Sequence, residues 1–156
     1  MRAPIPPATE VAGFLGASSV ILVDTGPLVA LFDPQDHQHQ RCKVILQAMC
    51  APLYTTVPVL TEAFHLLTPA NQGSDRLREF ILRGGLSLWF LQSDAIERAF
   101  ELMETYADQA MDLADASLVV AAETLRTRKI FTLDWGDFST YRIKRGHRHY
   151  PFEIIG

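Results

Sequence analysis

Cysteine is scarce in this chain: Cys42 and Cys50 are the only two, and they form no CxxC pair. That excludes a disulfide framework and a thiolate zinc cluster as sources of stability. Their spacing suits one helix face, so both are expected as reduced thiols of a cytoplasmic protein. Long apolar runs are missing too. The stretch Val11–Val23 follows Arg2 at a distance and has the outline of a signal peptide. It also holds Gly13, Gly16, Ser18 and Ser19, comes directly after Glu10, and is too short to span a bilayer as a helix. No membrane association is expected. Residues 1–18, with Pro4, Pro6 and Pro7, read as an N-terminal extension, leaving residues 19–156 as one domain. Repeats, low-complexity tracts and an interdomain linker are absent. So is an excess of positive charge: a net charge of −4 does not resemble a nucleic-acid binder. One or two bound divalent cations would offset much of that charge, so the count does not exclude RNA.

What is present is an ordinary globular composition, 48% hydrophobic and 21% charged, in a chain of 156 residues, long enough to bury a core. Val20–Val23 reads as a buried strand, and Thr25-Gly26-Pro27 starts a short helix to Phe32. His39–Met49 has helical spacing and Leu53–Thr56 is a second strand. Pro58 begins a helix capped by Thr55 or Thr56, and Ser74 caps another that Gly84-Gly85 ends. Leu86–Leu91 has the look of a central strand, and Ser93 or Asp94 caps a helix to about Tyr106. Asp112–Thr127 is the clearest helix, Ile130–Leu133 a strand, Asp134–Phe138 a turn, and Tyr150–Ile155 a terminal edge strand. Strands alternating with helices predict an α/β fold of three layers around a mainly parallel sheet.

Four acids sit where these elements begin or end. Asp24 and Asp134 follow apolar strands, Asp115 lies in the first turn of a helix, and Glu62 lies one turn into the Pro58 helix. Carboxyl ends of parallel strands are where open α/β sheets place their ligands. Carboxylates gathered there repel one another unless a divalent cation compensates them. Each acid has a structural reading as well: Asp112 as a helix cap, Asp24 as support for the Pro27 helix, Glu62 as a solvated residue, Asp137 as a surface turn residue.

Taken in order, Val23-Asp24-Thr25-Gly26-Pro27-Leu28, Thr61-Glu62-Ala63-Phe64, Asp112-Leu113-Ala114-Asp115-Ala116-Ser117-Leu118 and Thr132-Leu133-Asp134-Trp135-Gly136-Asp137-Phe138 resemble a PIN domain. Within that family they resemble the VapC-type toxin ribonucleases of toxin–antitoxin systems. The resemblance runs from Val20 to the C-terminus, and a segment before the first strand departs from the usual pattern. It implies a Rossmann-like PIN fold and a metal-dependent endoribonuclease in which Asp24, Glu62, Asp115 and Asp134 are the catalytic, metal-binding acids. Asp112 matches an extra acid present in part of the family; Thr25 and Thr132 match supporting hydroxyl positions. The implied cofactor is Mg²⁺ or Mn²⁺, and the implied partners are an RNA substrate, a small cognate antitoxin and a second copy in a homodimer. Amphipathic helices at Val44–Met49 and Pro58–Leu67, with Phe64 and Leu67, offer apolar surface for such partners.

The chemistry suits these residue types. Hard carboxylate oxygens bind Mg²⁺ or Mn²⁺, which keep several waters and accept phosphate oxygens as further ligands. Asp36, His37 and His39 form a weaker cluster, read as a cap and loop residues, and His65 reads as a packed helix residue. Arg142, Lys144, Arg145, His147, Arg148 and His149 make the one basic cluster, a solvated hairpin by default and an RNA-phosphate contact in the sharper reading. Trp89, Phe90 and Trp135 read as packing residues, with Trp135 also placed to stack on a base. A haloacid-dehalogenase-type phosphotransferase needs a second Asp two residues after the first, where this chain has Gly26. A non-catalytic nucleic-acid-binding or partner scaffold would gain nothing from clustered negative charge.

Overall fold

The structure, a computed structural model, describes residues 20–69 and 71–156, so the expected extension over residues 1–18 lies outside the described residues. Seven strands are described: β1 Ile21–Val23, β2 Leu53–Thr56, β3 Ser87–Trp89, β4 Lys129–Phe131, β5 Arg142–Arg145, β6 Arg148–Pro151 and β7 Glu153–Ile155. The α-helices are α1 Thr25–Phe32, α2 His39–Ala48, α3 Val57–Leu67, α4 Gln72–Leu82, α5 Ser93–Thr105, α6 Leu113–Leu125 and α7 Trp135–Thr140.

Five strands make one parallel sheet in the order β3-β2-β1-β4-β7. The chain walks from β1 outward through β2 to β3, then returns past its start to β4 and β7. Right-handed crossovers therefore cover opposite faces of the sheet on the two journeys, giving three layers. The direction of the walk reverses between β1 and β4. Such a switch point opens a crevice at the carboxyl ends of its two strands.

β1 and β4 lie at the centre because they are apolar on both faces: Leu22, Val23, Ile130 and Phe131 are buried. Leu28, Val59, Leu77 and Leu118 fill the layers beside them, and truncating any one to Ala would cost about 2–5 kcal/mol. α6 is buried nearly all round. Its Ala116, Ser117, Ala121 and Ala122 are small enough for neighbouring backbones to approach closely.

Several boundaries differ from the sequence expectation for identifiable reasons. The expected edge strand Tyr150–Ile155 is split, because Phe152 turns inward to pack edge-on against Phe138, their ring centroids 5.3 Å apart. β6 then pairs antiparallel with β5, while β7 joins β4 as the sheet's edge. The expected turn Asp134–Phe138 is helical, since the Asp134 side chain accepts the Asp137 N–H and caps α7. α4 starts earlier than expected, with Asn71 rather than Ser74 as its N-cap. Neither Ser93 nor Asp94 caps α5, whose N-cap is Gln92. Cys50 does not share a helix face with Cys42. Extended Met49 ends α2 first, leaving Cys42 buried and Cys50 exposed. Leu67 is buried in the core, whereas Phe64 packs against it and stays partly exposed, so of the two only Phe64 offers apolar surface. Among the described residues, no helix is long and apolar enough to cross a membrane.

Candidate active site

Because β1 and β4 are neighbours, the residues that follow them meet. The Asp24 N–H donates to Phe131 O at 2.9 Å, tying the end of β1 to the end of β4. Asp24 is only 8% exposed. Its Oδ1 accepts the Thr25 N–H at 2.8 Å, making it the N-cap of α1, and its Oδ2 accepts the Thr132 hydroxyl at 2.8 Å. Thr132 Oγ1 in turn accepts the Asp134 N–H at 3.0 Å. The Thr25 hydroxyl donates to Glu62 Oε2 at 3.3 Å. Asp24, Thr25, Glu62, Thr132 and the Asp134 backbone therefore form one hydrogen-bonded chain across three elements.

Asp115 approaches from α6. Asp112 caps that helix by accepting the Asp115 N–H at 2.8 Å, as its capping reading expected. Half-buried Asp115 accepts the Tyr141 hydroxyl at 3.1 Å. The start of α6 is fastened to the end of β2 by two buried hydroxyls, Thr56 and Ser117, 2.6 Å apart. Ser117 already donates to Ala114 O, so Thr56 is the donor between them. Thr55 donates to Val23 O at 2.7 Å and fixes β2 beside the residue preceding Asp24.

Three helices, α1, α6 and α7, thus present their first turns to the cluster, each capped by an acid. N-terminal N–H groups and the helix macrodipole offset part of the negative charge. The offset is incomplete. Burial is the main cause that raises the Asp24 carboxyl from 3.8 to about 6, against the Thr132 and Thr25 hydrogen bonds that lower it; Glu62 and Asp134 raise it further. Asp115 is raised from 3.8 to about 7, first by burial and then by the charges of Asp112 and Asp24. Asp137, expected as a surface residue, is half-buried, and burial followed by the Asp134 charge also raises it.

Two participants were not singled out from the sequence. Asp137 was set aside because a turn acid carries no distinguishing local signal. Tyr141 was missed altogether. It is fully buried and stacked edge-on against Tyr106 and Phe138, with only its hydroxyl turned to Asp115; the burial and the Asp115 charge raise that hydroxyl strongly. Other candidates fall away from the acids. His39 sits on α2 and contacts Ala30 O through Nδ1 at 2.7 Å, while Asp36 accepts the Gln38 N–H instead of capping with its partners. Trp89 is buried and Phe90 exposed, whereas Trp135, also exposed, directly follows Asp134 and stays beside the acids.

The donor set is made of oxygens only, which suits a hard divalent cation. Among the described residues, no three Asp, Glu, His or Cys side chains stand close enough to enclose an ion by themselves. A hard divalent cation there would take one or two of these carboxylates and complete its shell with waters and phosphate oxygens. Asp24 and Asp115 are the acids whose carboxyls burial raises to about 6 and about 7, so a cation beside them would offset the most.

Residues 21–144 match the family described as PIN domain. Ribonuclease VapC26 of Mycobacterium tuberculosis is 32% identical over 132 residues, covering 82% of this chain and 96% of that protein. Mycobacterium tuberculosis VapC20, a sarcin-ricin-loop-cleaving toxin, has a similar fold, with a TM-score of 0.69, 19% identity, and coverage of 74% of this chain and 91% of its own. A toxin–antitoxin complex from Klebsiella pneumoniae contains a chain similar at a TM-score of 0.60 and 22% identity, over 77% of this chain and 91% of that one.

Proposed function

Because the chain belongs to the PIN-domain family, we propose that it is a metal-dependent endoribonuclease, the toxin of a toxin–antitoxin pair. The observation that carries this reading is Asp24: a buried carboxylate at the switch point of a parallel sheet, with other acids around it and, among the described residues, no side-chain cation bonded to it. Left alone, its charge is costly; a divalent cation removes the cost.

In this reading Asp24 and Asp115 hold Mg²⁺ or Mn²⁺ directly, and Glu62 and Asp134 complete its surroundings. Bound there, the cation would lower the pKa of a coordinated water and offset charge developing on the scissile phosphate. The chain's own groups do the positioning. Thr132 and the Thr25 N–H fix both oxygens of Asp24, Tyr141 fixes one oxygen of Asp115, and Thr25 steadies Glu62. Asp112, already engaged with the Asp115 N–H, acts by holding the helix end. No side-chain nucleophile is required for phosphodiester hydrolysis of this kind.

The partners follow. A small antitoxin would cover the acids and bring an Arg or Lys into them, supplying the missing positive charge. A homodimer is supported by large apolar side chains left exposed on α5 and just before it, Phe90, Ile96 and Phe100. The decisive assay is cleavage of RNA with and without chelator, using Asp24→Asn as control. Cleavage that needs Mg²⁺ or Mn²⁺ and fails in the variant supports the reading. Full cleavage in EDTA overturns it.

A further inference from the structure

The β5–β6 hairpin, Arg142 to Pro151, carries Arg142, Lys144, Arg145 and Arg148 and no acid, in a chain whose net charge is −4. Antiparallel pairing puts Ile143 opposite Tyr150 and Arg145 opposite Arg148, so these four share one face. Ile143 anchors that face in the core. Beyond it, the Tyr150 ring has two guanidinium groups near it: Arg145 at 5.8 Å and Arg128 at 5.9 Å from its centroid. Arg128 donates to Pro151 O at 2.8 Å, and its nearest carboxylate, Glu153, is 3.8 Å away. Among the described residues Arg145 and Arg148 pair with no carboxylate, and Arg145 Nε is buried without a hydrogen-bond partner. A merely solvated hairpin would spread its cations into water. Here one ring collects Arg145 of the hairpin and Arg128 from before β4, with Arg148 across the strand pair.

The cluster is set apart from the acids. Lys144 N–H donates to Glu123 Oε1 at 3.0 Å, and Glu123 itself is held by Arg98. Glu123 lies eight residues beyond Asp115 on α6, about 12 Å along the helix axis. Likewise Arg128 precedes β4, while Thr132 follows it, about 13 Å farther along the strand. A nucleic-acid strand advancing about 3.4 Å per nucleotide would bridge that gap in about four nucleotides.

We propose that Arg128, Arg145 and Arg148, gathered around Tyr150, bind the phosphate backbone of RNA outside the segment that is cut. Planar guanidinium forks match phosphate oxygens, and contacts of this kind position a strand without reading its bases. The surface extends the ribonuclease reading, on which it rests, from the acidic cluster to a second point of attachment. Substrates long enough to reach both points bind more tightly than those filling the acidic cluster alone.

Fluorescence anisotropy of the full chain in Mg²⁺ tests this, with labelled single-stranded RNA of non-cleavable backbone, one long enough to reach the hairpin and one of about two nucleotides, too short to span the gap. Arg145→Gln with Arg148→Gln should weaken the long RNA about tenfold and flatten its log–log salt dependence by about 1.4, the release expected from two phosphate contacts on a single strand. The short RNA should bind unchanged. In cleavage assays KM for the long RNA should rise while kcat holds. Exposed Arg148→Glu alone should act in the same direction, which keeps the test sound if altering Arg145 disturbs folding. Unchanged salt dependence in Arg148→Glu, an equal loss on the short RNA, or tighter binding of polyglutamate than of RNA would each overturn the proposal. Arginine-dependent binding of long RNA by a protein that cleaves nothing would overturn the ribonuclease reading and leave this surface standing.

Discussion

Replacing Asp24 by Asn should make the metal-free protein less sensitive to pH. The charged form of Asp24 is disfavoured in the fold, since burial raises its carboxyl from 3.8 to about 6. A group raised in this way contributes stability that is complete below its unfolded value and is lost as pH rises through its folded value. For Asp24 the window runs from 3.8 to about 6, and at about 1.4 kcal/mol per tenfold the loss across it comes to about 3 kcal/mol. Near pH 5 the unfolded carboxyl is already mostly ionised, so about half of that loss remains between about pH 5 and about pH 8. Asn cannot ionise. Its carbonyl can still accept the Thr25 N–H, but its amide meets the Thr132 hydroxyl where a carboxylate oxygen accepted from it, a loss of about 1 kcal/mol. The variant should thus lie near or slightly above the parent at about pH 5, and gain on it by about a further 1.5 kcal/mol at about pH 8. Asp115 slopes in the same direction and is raised partly by the Asp24 charge, so removing that charge eases Asp115 as well and adds to the variant's gain. Urea melts in EDTA at the two pH values measure it. A parent that gains stability between them, or a variant that keeps the parent's full loss, would refute the assignment of Asp24 as a buried, uncompensated acid.

Tyr141→Phe keeps the ring contacts with Tyr106 and Phe138 but frees Asp115, and cleavage should fall about tenfold or more, as when a supporting partner of a metal ligand is lost, while circular dichroism stays unchanged. Thr132→Val removes both the donor to Asp24 and the acceptor of the Asp134 N–H, and should destabilise by about 1–3 kcal/mol in a denaturant melt. Mg²⁺ or Mn²⁺ at about one hundred times its dissociation constant should stabilise the parent by about 2.7 kcal/mol, an effect that Asp24→Asn should largely abolish in thermal scans. Antitoxin inhibition should weaken with Glu62→Gln or Asp134→Asn in a competition assay, and light scattering should find a dimer; indifference to both substitutions would exclude capture of the acids by a basic side chain.

Much of the fold is local in origin and therefore readable. The apolar runs before Asp24 and Asp134 mark central strands because only residues free of polar side chains survive burial on both faces of a sheet. The periodicity of Asp112–Thr127 marks a helix, and Asp112 marks its start, because capping depends on a hydrogen bond three residues away. The order of four short motifs carried the family resemblance with no knowledge of strand order.

What the sequence left open was every contact between residues distant along the chain. Whether Asp24 meets Thr132 depends on β1 lying beside β4, a pairing across 108 positions that no local pattern encodes. Tyr141 carries no motif, and its role comes from aromatic packing that leaves one direction open to its hydroxyl. Phe152 splits the last strand because a pocket against Phe138 exists only once the sheet has formed. Arg128 and Arg145 share the Tyr150 ring because the residue before β4 and a hairpin that begins 14 residues later fold onto each other. Hydrogen bonds within a turn are set by backbone geometry, which neighbours in sequence determine; carboxylate repulsion, burial and cation clustering are set by what the whole chain brings close.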